Sequence, residues 1–91
     1  MNPETKITSP DSVLYTQVGD EIIILDLTSG KYFSLNHTAA DIFKLFVKEK
    51  LSFGEVYDKL AILYPEADSI TLKKDIRELA EDLKKSGIFF Y

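Results

Sequence analysis

The chain has 91 residues, no cysteine, one histidine and a net charge of −4, with 15 acidic side chains against 11 basic ones. That length suits one domain burying roughly 60–70% of its unfolded surface without staples, and the lack of cysteine excludes disulfides and thiolate sites. The acidic balance disfavours generic phosphate-backbone binding, and no apolar run approaches the ~20 residues of a membrane span, so the expected setting is cytoplasmic, with neither nucleic acid nor membrane as partner.

Residues 1–11 carry Pro3, Pro10 and small polar side chains, and the N-terminal "MNPETKITSP" lacks the basic run and apolar core of an export signal. They read as a flexible N-terminal arm ahead of a domain spanning 12–91. A β-prone run from Val13 to Gln17 leads to the turn chemistry of "VGDE", and "IIILDL" follows as a buried strand. "TSGK" then supplies a hairpin connection with Gly30 available for positive φ, and "YFSL" is a third strand.

The period then changes from two to 3.6. Asn36 or Thr38 can cap a first helix, Thr38 with Asp41 three residues on, and Ala39, Ile42, Phe43, Phe46 and Val47 recur at helical spacing to about Lys50. Ser52 with Glu55 forms a capping-box pattern before Val56, Tyr57, Leu60, Leu63 and Tyr64, and Pro65 ends that second helix. A third helix begins near Ser69 to Thr71, carries Leu72, Ile76, Leu79, Ala80 and Leu83 on one stripe, and stops at Gly87 after Lys84 and Lys85. The apolar tail "IFFY" is expected to fold back on the core. The order β-β-β-α-α-α makes an α+β fold, an antiparallel three-stranded sheet followed by three helices.

The residues offer nothing for catalysis. No G-x-S-x-G, H-E-x-x-H or phosphate-cradling glycine loop occurs, and His37, the lone histidine, has no obvious carboxylate or nucleophile beside it in sequence. The expectation is a non-enzymatic protein with no catalytic residue, metal or cofactor.

The string "GDEIIILDLTSGKYFSLNHTAADIFKLF", the "SFGEV" helix start, the "LYP" break and the "DIRELAEDLKKSGI" helix together resemble the PqqD-like proteins, the recognition elements for precursors of ribosomally made, modified peptides. The "DLTSGKYFSLN" segment is most similar to the discrete small versions found in lasso-peptide biosynthesis. The resemblance covers about residues 12–90 and rests on Leu27, Gly30, Tyr32, Leu35, Asn36, Ala39, Ala40 and Gly87. Two departures stand out: "EKLS" replaces a glycine usual between the first two helices, and "IFFY" is more aromatic than the common ending.

The resemblance implies a winged helix-turn-helix-like fold that binds the leader segment of a precursor peptide by adding it as a strand. It also implies a leader peptidase or other maturation enzyme as second partner. The physics of the sequence agrees: an edge strand presents unpaired N–H and C=O groups to an extended chain. Lys31 to Leu35 would offer about 17 Å of edge at ~3.3 Å per residue. The candidate peptide-binding residues are therefore Lys31, Tyr32, Phe33, Ser34 and Leu35 on the strand, with Asp75, Ile76, Leu79, Asp82 and Leu83 on the third helix as the facing wall. Core packing is the competing role for the apolar ones, and a solvated face for the acids.

Two other classes share the elements. A winged-helix DNA-binding regulator would read DNA with the third helix, where Lys73, Lys74, Arg77, Lys84 and Lys85 alternate with Asp75, Glu78, Glu81 and Asp82, so the field roughly cancels along the sequence. A dimerisation module would pair the same strand edge with a second copy, so the expected state is a monomer or weak homodimer.

Overall fold

A computed structural model describes residues 2–91. The sheet is a meander of β1 (Val13–Val18), β2 (Glu21–Asp26) and β3 (Tyr32–Leu35) in the order β1-β2-β3, antiparallel throughout. The helices α1 (His37–Val47), α2 (Phe53–Leu63) and α3 (Ser69–Lys85) follow. β2 sits in the middle with a nearly continuous aliphatic run: Ile22 and Ile24 point inward and are fully buried, while Ile23 lies on the outer face. Pairing puts Phe33 and Leu35 on the core side with Ile24 and Ile22, and leaves Tyr32 and Ser34 on the outer face.

The core joins that inner face to the helices through aromatic rings. Phe43 of α1 stacks on Phe89 at 5.8 Å and meets the edge of Tyr15 at 5.1 Å, while Phe46 meets Phe53 edge-on at 4.9 Å. Ile88 and Phe89 are fully buried, so the C-terminal tail folds back as its composition suggests.

Local chemistry sets the helix ends. The Glu55 N–H donates to Ser52 Oγ at 3.4 Å and Ser52 N–H to Glu55 Oε1 at 3.0 Å, the reciprocal capping box anticipated from sequence. The Ser52 backbone N–H first, and then its hydroxyl, hold the Glu55 carboxyl below its ordinary pKa. α3 starts at Ser69, within the expected range, on an Asp68 cap whose carboxylate accepts from the Thr71 N–H. It ends in a Schellman motif: Gly87, at φ +76°, lets Ile88 N–H reach Leu83 C=O at 2.8 Å.

Sequence expectation and structure part in four places. α1 ends at Val47, short of Lys50, and the Asn36 side chain at its N-cap makes no capping bond. Asp41, expected to answer Thr38 in a cap, instead accepts from Tyr64 Oη at 2.6 Å and pairs with Lys44 at 3.6 Å. Leu63 is exposed, although Ala61 and Tyr64 on either side of it still pack on the core. The fourth concerns residues 1–11, read above as a flexible arm. In the structure Phe53 and Gly54 N–H, two unpaired donors of the α2 N-terminus, bond to Thr5 and Pro3 C=O at 3.1 and 2.9 Å. Thr8 and Phe90 exchange backbone bonds at 2.8 and 3.0 Å, and Ile7 joins the core.

Candidate functional site

β3 is an edge strand whose only neighbour among the described residues is β2. The register shows which of its backbone groups are open. Asp26 N–H donates to Lys31 C=O at 2.9 Å, and hydrogen-bonded pairs recur at every second position of an antiparallel ladder. Ile24–Phe33 and Ile22–Leu35 are therefore the bonded pairs. The N–H and C=O groups of Tyr32 and Ser34 point away from β2, toward open space. The β1–β2 ladder agrees: Leu27 N–H donates to Ser12 C=O at 2.8 Å, which turns Leu25 and Ile23 toward β1 and leaves Ile24 and Ile22 for β3. By the same alternation Tyr15 and Gln17 direct their backbone groups off the opposite edge.

What lies beside the β3 edge distinguishes it. α1 packs on β3 and also on α3, yet no Cα of α3 comes within 8 Å of a Cα of β3. An added strand would sit ~4.8 Å from β3, and α3 is not packed directly against that edge. On the α3 helical wheel Asp75, Leu79 and Asp82 share one flank of the buried stripe, and Lys73, Arg77 and Lys84 share the other. The second flank faces α2 and the C-terminus, with Lys73 Nζ 4.9 Å from the Tyr57 ring and Lys84 Nζ 4.1 Å from Tyr91. Charges that alternate along the sequence are thus sorted in space into an acidic and a basic flank.

The candidate residues separate accordingly. Phe33 and Leu79 are half-buried at the rim of the common core. Asp75 is half-exposed and Asp82 exposed. Ile76 and Leu83 are core side chains, and Leu35 is buried with Ile22. Tyr32, 73% exposed, stands on the outer sheet face and so on the opposite side of the sheet from Phe33. Lys31 precedes the strand, its C=O already engaged by Asp26.

Residues 21–88 match the family described as coenzyme PQQ synthesis protein D. The chain belongs to the PqqD family. Two solved structures share its fold closely over nearly their whole length. One is TbiB1 in complex with the TbiA(beta) leader peptide, 27% identical, covering 93% of this chain and 94% of that one at a TM-score of 0.82. The other is lasso peptide synthetase B1 complexed with the leader peptide, 26% identical, covering 96% and 100% at a TM-score of 0.83. No curated protein sequence matches the chain.

Two features of this PqqD-family protein escape a sequence reading. Lys50, within the "EKLS" segment that stands where the family pattern has a glycine, adopts φ +56°, so the left-handed turn is kept by a residue that disfavours it. His37, expected to lack a carboxylate partner, has Nδ1 3.2 Å from Asp20 Oδ2 across the β1–β2 turn. Both groups are largely exposed, so the pair is a weak surface contact.

Among the described residues no helix is long and apolar enough to cross a membrane, and no group of His, Asp and Glu is placed to hold a metal. A concavity lies away from β3, between α2, α3 and the N-terminal segment.

Proposed function

We propose that this protein binds the leader segment of a ribosomally made precursor peptide as an extra strand on β3 and presents it to a processing enzyme, a leader peptidase of lasso-type biosynthesis, in the cytoplasm. The observation that carries the reading is the outward set of Tyr32 and Ser34 backbone groups on the free edge of β3. Two family relatives of the same fold were solved with leader peptides bound, which supports the same ligand class here.

The chemistry divides affinity from choice. Backbone pairing on Tyr32 and Ser34 accepts any extended chain, each net bond contributing about 0.5–1.5 kcal/mol. Side chains at alternate leader positions then face inward to Phe33 and Leu79, where apolar contact selects them, and the Asp75 and Asp82 carboxylates favour a basic or hydroxyl-bearing neighbour. Ile76 and Leu83 shape that wall from beneath. Holding the leader tethers the core peptide near the enzyme, which raises its local concentration even when each contact is modest.

Calorimetry with the two halves of the precursor tests this. The leader half should bind and the core half should not. In a peptidase assay the protein should accelerate leader removal from the whole precursor. Equal binding of both halves, or no heat with the leader, would reject the proposal.

A further inference from the structure

The concavity between α2, α3 and the N-terminal segment is unused by leader binding. Its volume is about 400 Å³, within the range of ligand pockets, and it is open on one side. Phe53, Tyr57 and Ile76 give it an apolar lining, and Pro3 closes one wall. That wall is built in: Gly54 N–H holds Pro3 C=O at 2.9 Å, and a Cβ on Gly54 would lie 3.2 Å from Pro3 Cβ, so glycine permits the approach.

Lys73 and Arg77 also line it, on the basic flank of α3. Among the described residues neither has a carboxylate within 4.0 Å, the ion pairs being those of His37, Lys44 and Lys74. Asp58, the one acid in the lining, leaves the pocket net positive on a chain of net charge −4. Arg77, and Lys73 with only the Tyr57 ring beside its Nζ, both free of a carboxylate partner and next to an apolar recess, fit an apolar side chain next to a carboxylate. The lining suits neither a bare phosphate, which has no use for Phe53 and Ile76, nor a nucleic acid, which needs an extended basic stripe.

We propose that this pocket docks an acidic segment of the processing enzyme, an apolar anchor entering between Phe53 and Ile76 while its neighbouring carboxylate meets Lys73 and Arg77. The identity of the partner rests on the function proposed above; the chemistry of the pocket does not. The surface lies on the opposite flank of α3 from Leu79, so leader and enzyme can be held together.

The test is an amide-shift titration of the full chain with the tripeptide acetyl-Glu-Phe-Glu-amide, its Gln-Phe-Gln counterpart and inorganic phosphate. The acidic tripeptide should shift Gly54, Tyr57, Lys73 and Arg77, and the Gln version should bind several-fold more weakly. Removing both cations (Lys73→Ala with Arg77→Ala) should weaken the acidic tripeptide about fivefold, and Asp58→Asn should tighten it about twofold. Both positions are exposed, and retained amide dispersion shows that the variants fold. The precursor leader should still bind the double variant, so failure at the pocket and failure at β3 are told apart. Absence of binding, equal binding of the Gln peptide, shifts reproduced by phosphate alone, or an Asp58→Asn variant that binds more weakly would each overturn the proposal.

Discussion

A proline at position 34 separates the edge from the fold. Ser34 N–H points off the sheet, so Ser34→Pro removes no β2–β3 bond, and an edge strand tolerates proline where its N–H faces outward. The same change at Phe33 removes a ladder bond to Ile24 and leaves that carbonyl unpaired, which should lower stability by about 1–3 kcal/mol. For the leader, Ser34→Pro deletes one donor of about 1 kcal/mol and leaves a leader carbonyl unpaired in a partly desolvated gap, which adds a further ~1–2 kcal/mol. The dissociation constant should therefore rise about 30- to 150-fold. Calorimetry gives the affinity and a thermal melt the stability, with Ser34→Ala as the control that keeps the N–H. A folded Ser34→Pro protein that binds the leader as tightly as wild type would refute the assignment of that group to the leader. A loss of stability matching that of Phe33→Pro would refute the register from which the assignment follows.

Leu79→Asp places a carboxylate at the half-buried rim on the acidic flank; it should weaken leader binding about tenfold or more while the melt shows a folded protein, because the buried stripe of α3 is untouched. Lys50→Gly should relieve the left-handed strain, raising stability by up to about 1 kcal/mol and the melting temperature by a few degrees; a lower melting temperature would show that Lys50 supplies something beyond its backbone. Glu55 has a folded pKa below its ordinary 4.5, so its contribution is present above that pH and fades as the pH falls through the lower folded value. Glu55→Gln should remove that component of the acid-induced loss, and an unchanged stability profile below pH 4.5 would show the capping box to be immaterial.

The parts legible in the sequence are those with local causes. The aliphatic run in "IIILDL", the Ser52–Glu55 box and Gly87 each act within a few residues, and they mark β2, the start of α2 and the end of α3. The start of α3 is legible only as a range, because Asp68, Ser69 and Thr71 all have capping chemistry and only the backbone path selects Asp68. Contacts between distant segments leave no periodic trace: neither Pro3 and Thr5 capping α2 nor Thr8 pairing with Phe90 could be read from residues 1–11 alone. The candidate site shows the same division. The strand and the α3 stripe are visible in the pattern, whereas the outward direction of Tyr32 and Ser34 needs the register. The sorting of α3 charges into two flanks needs the helix placed against Tyr57 and Tyr91.

The sheet has two open edges, so residue-resolved hydrogen exchange with and without the leader tests the central claim most directly. Tyr32 and Ser34 amides should exchange rapidly in the free protein and be protected when the leader binds, while Phe33 and Leu35, already bonded to β2, should change little. Protection appearing at Tyr15 and Gln17 on β1, with Tyr32 and Ser34 still exchanging freely, would contradict the account.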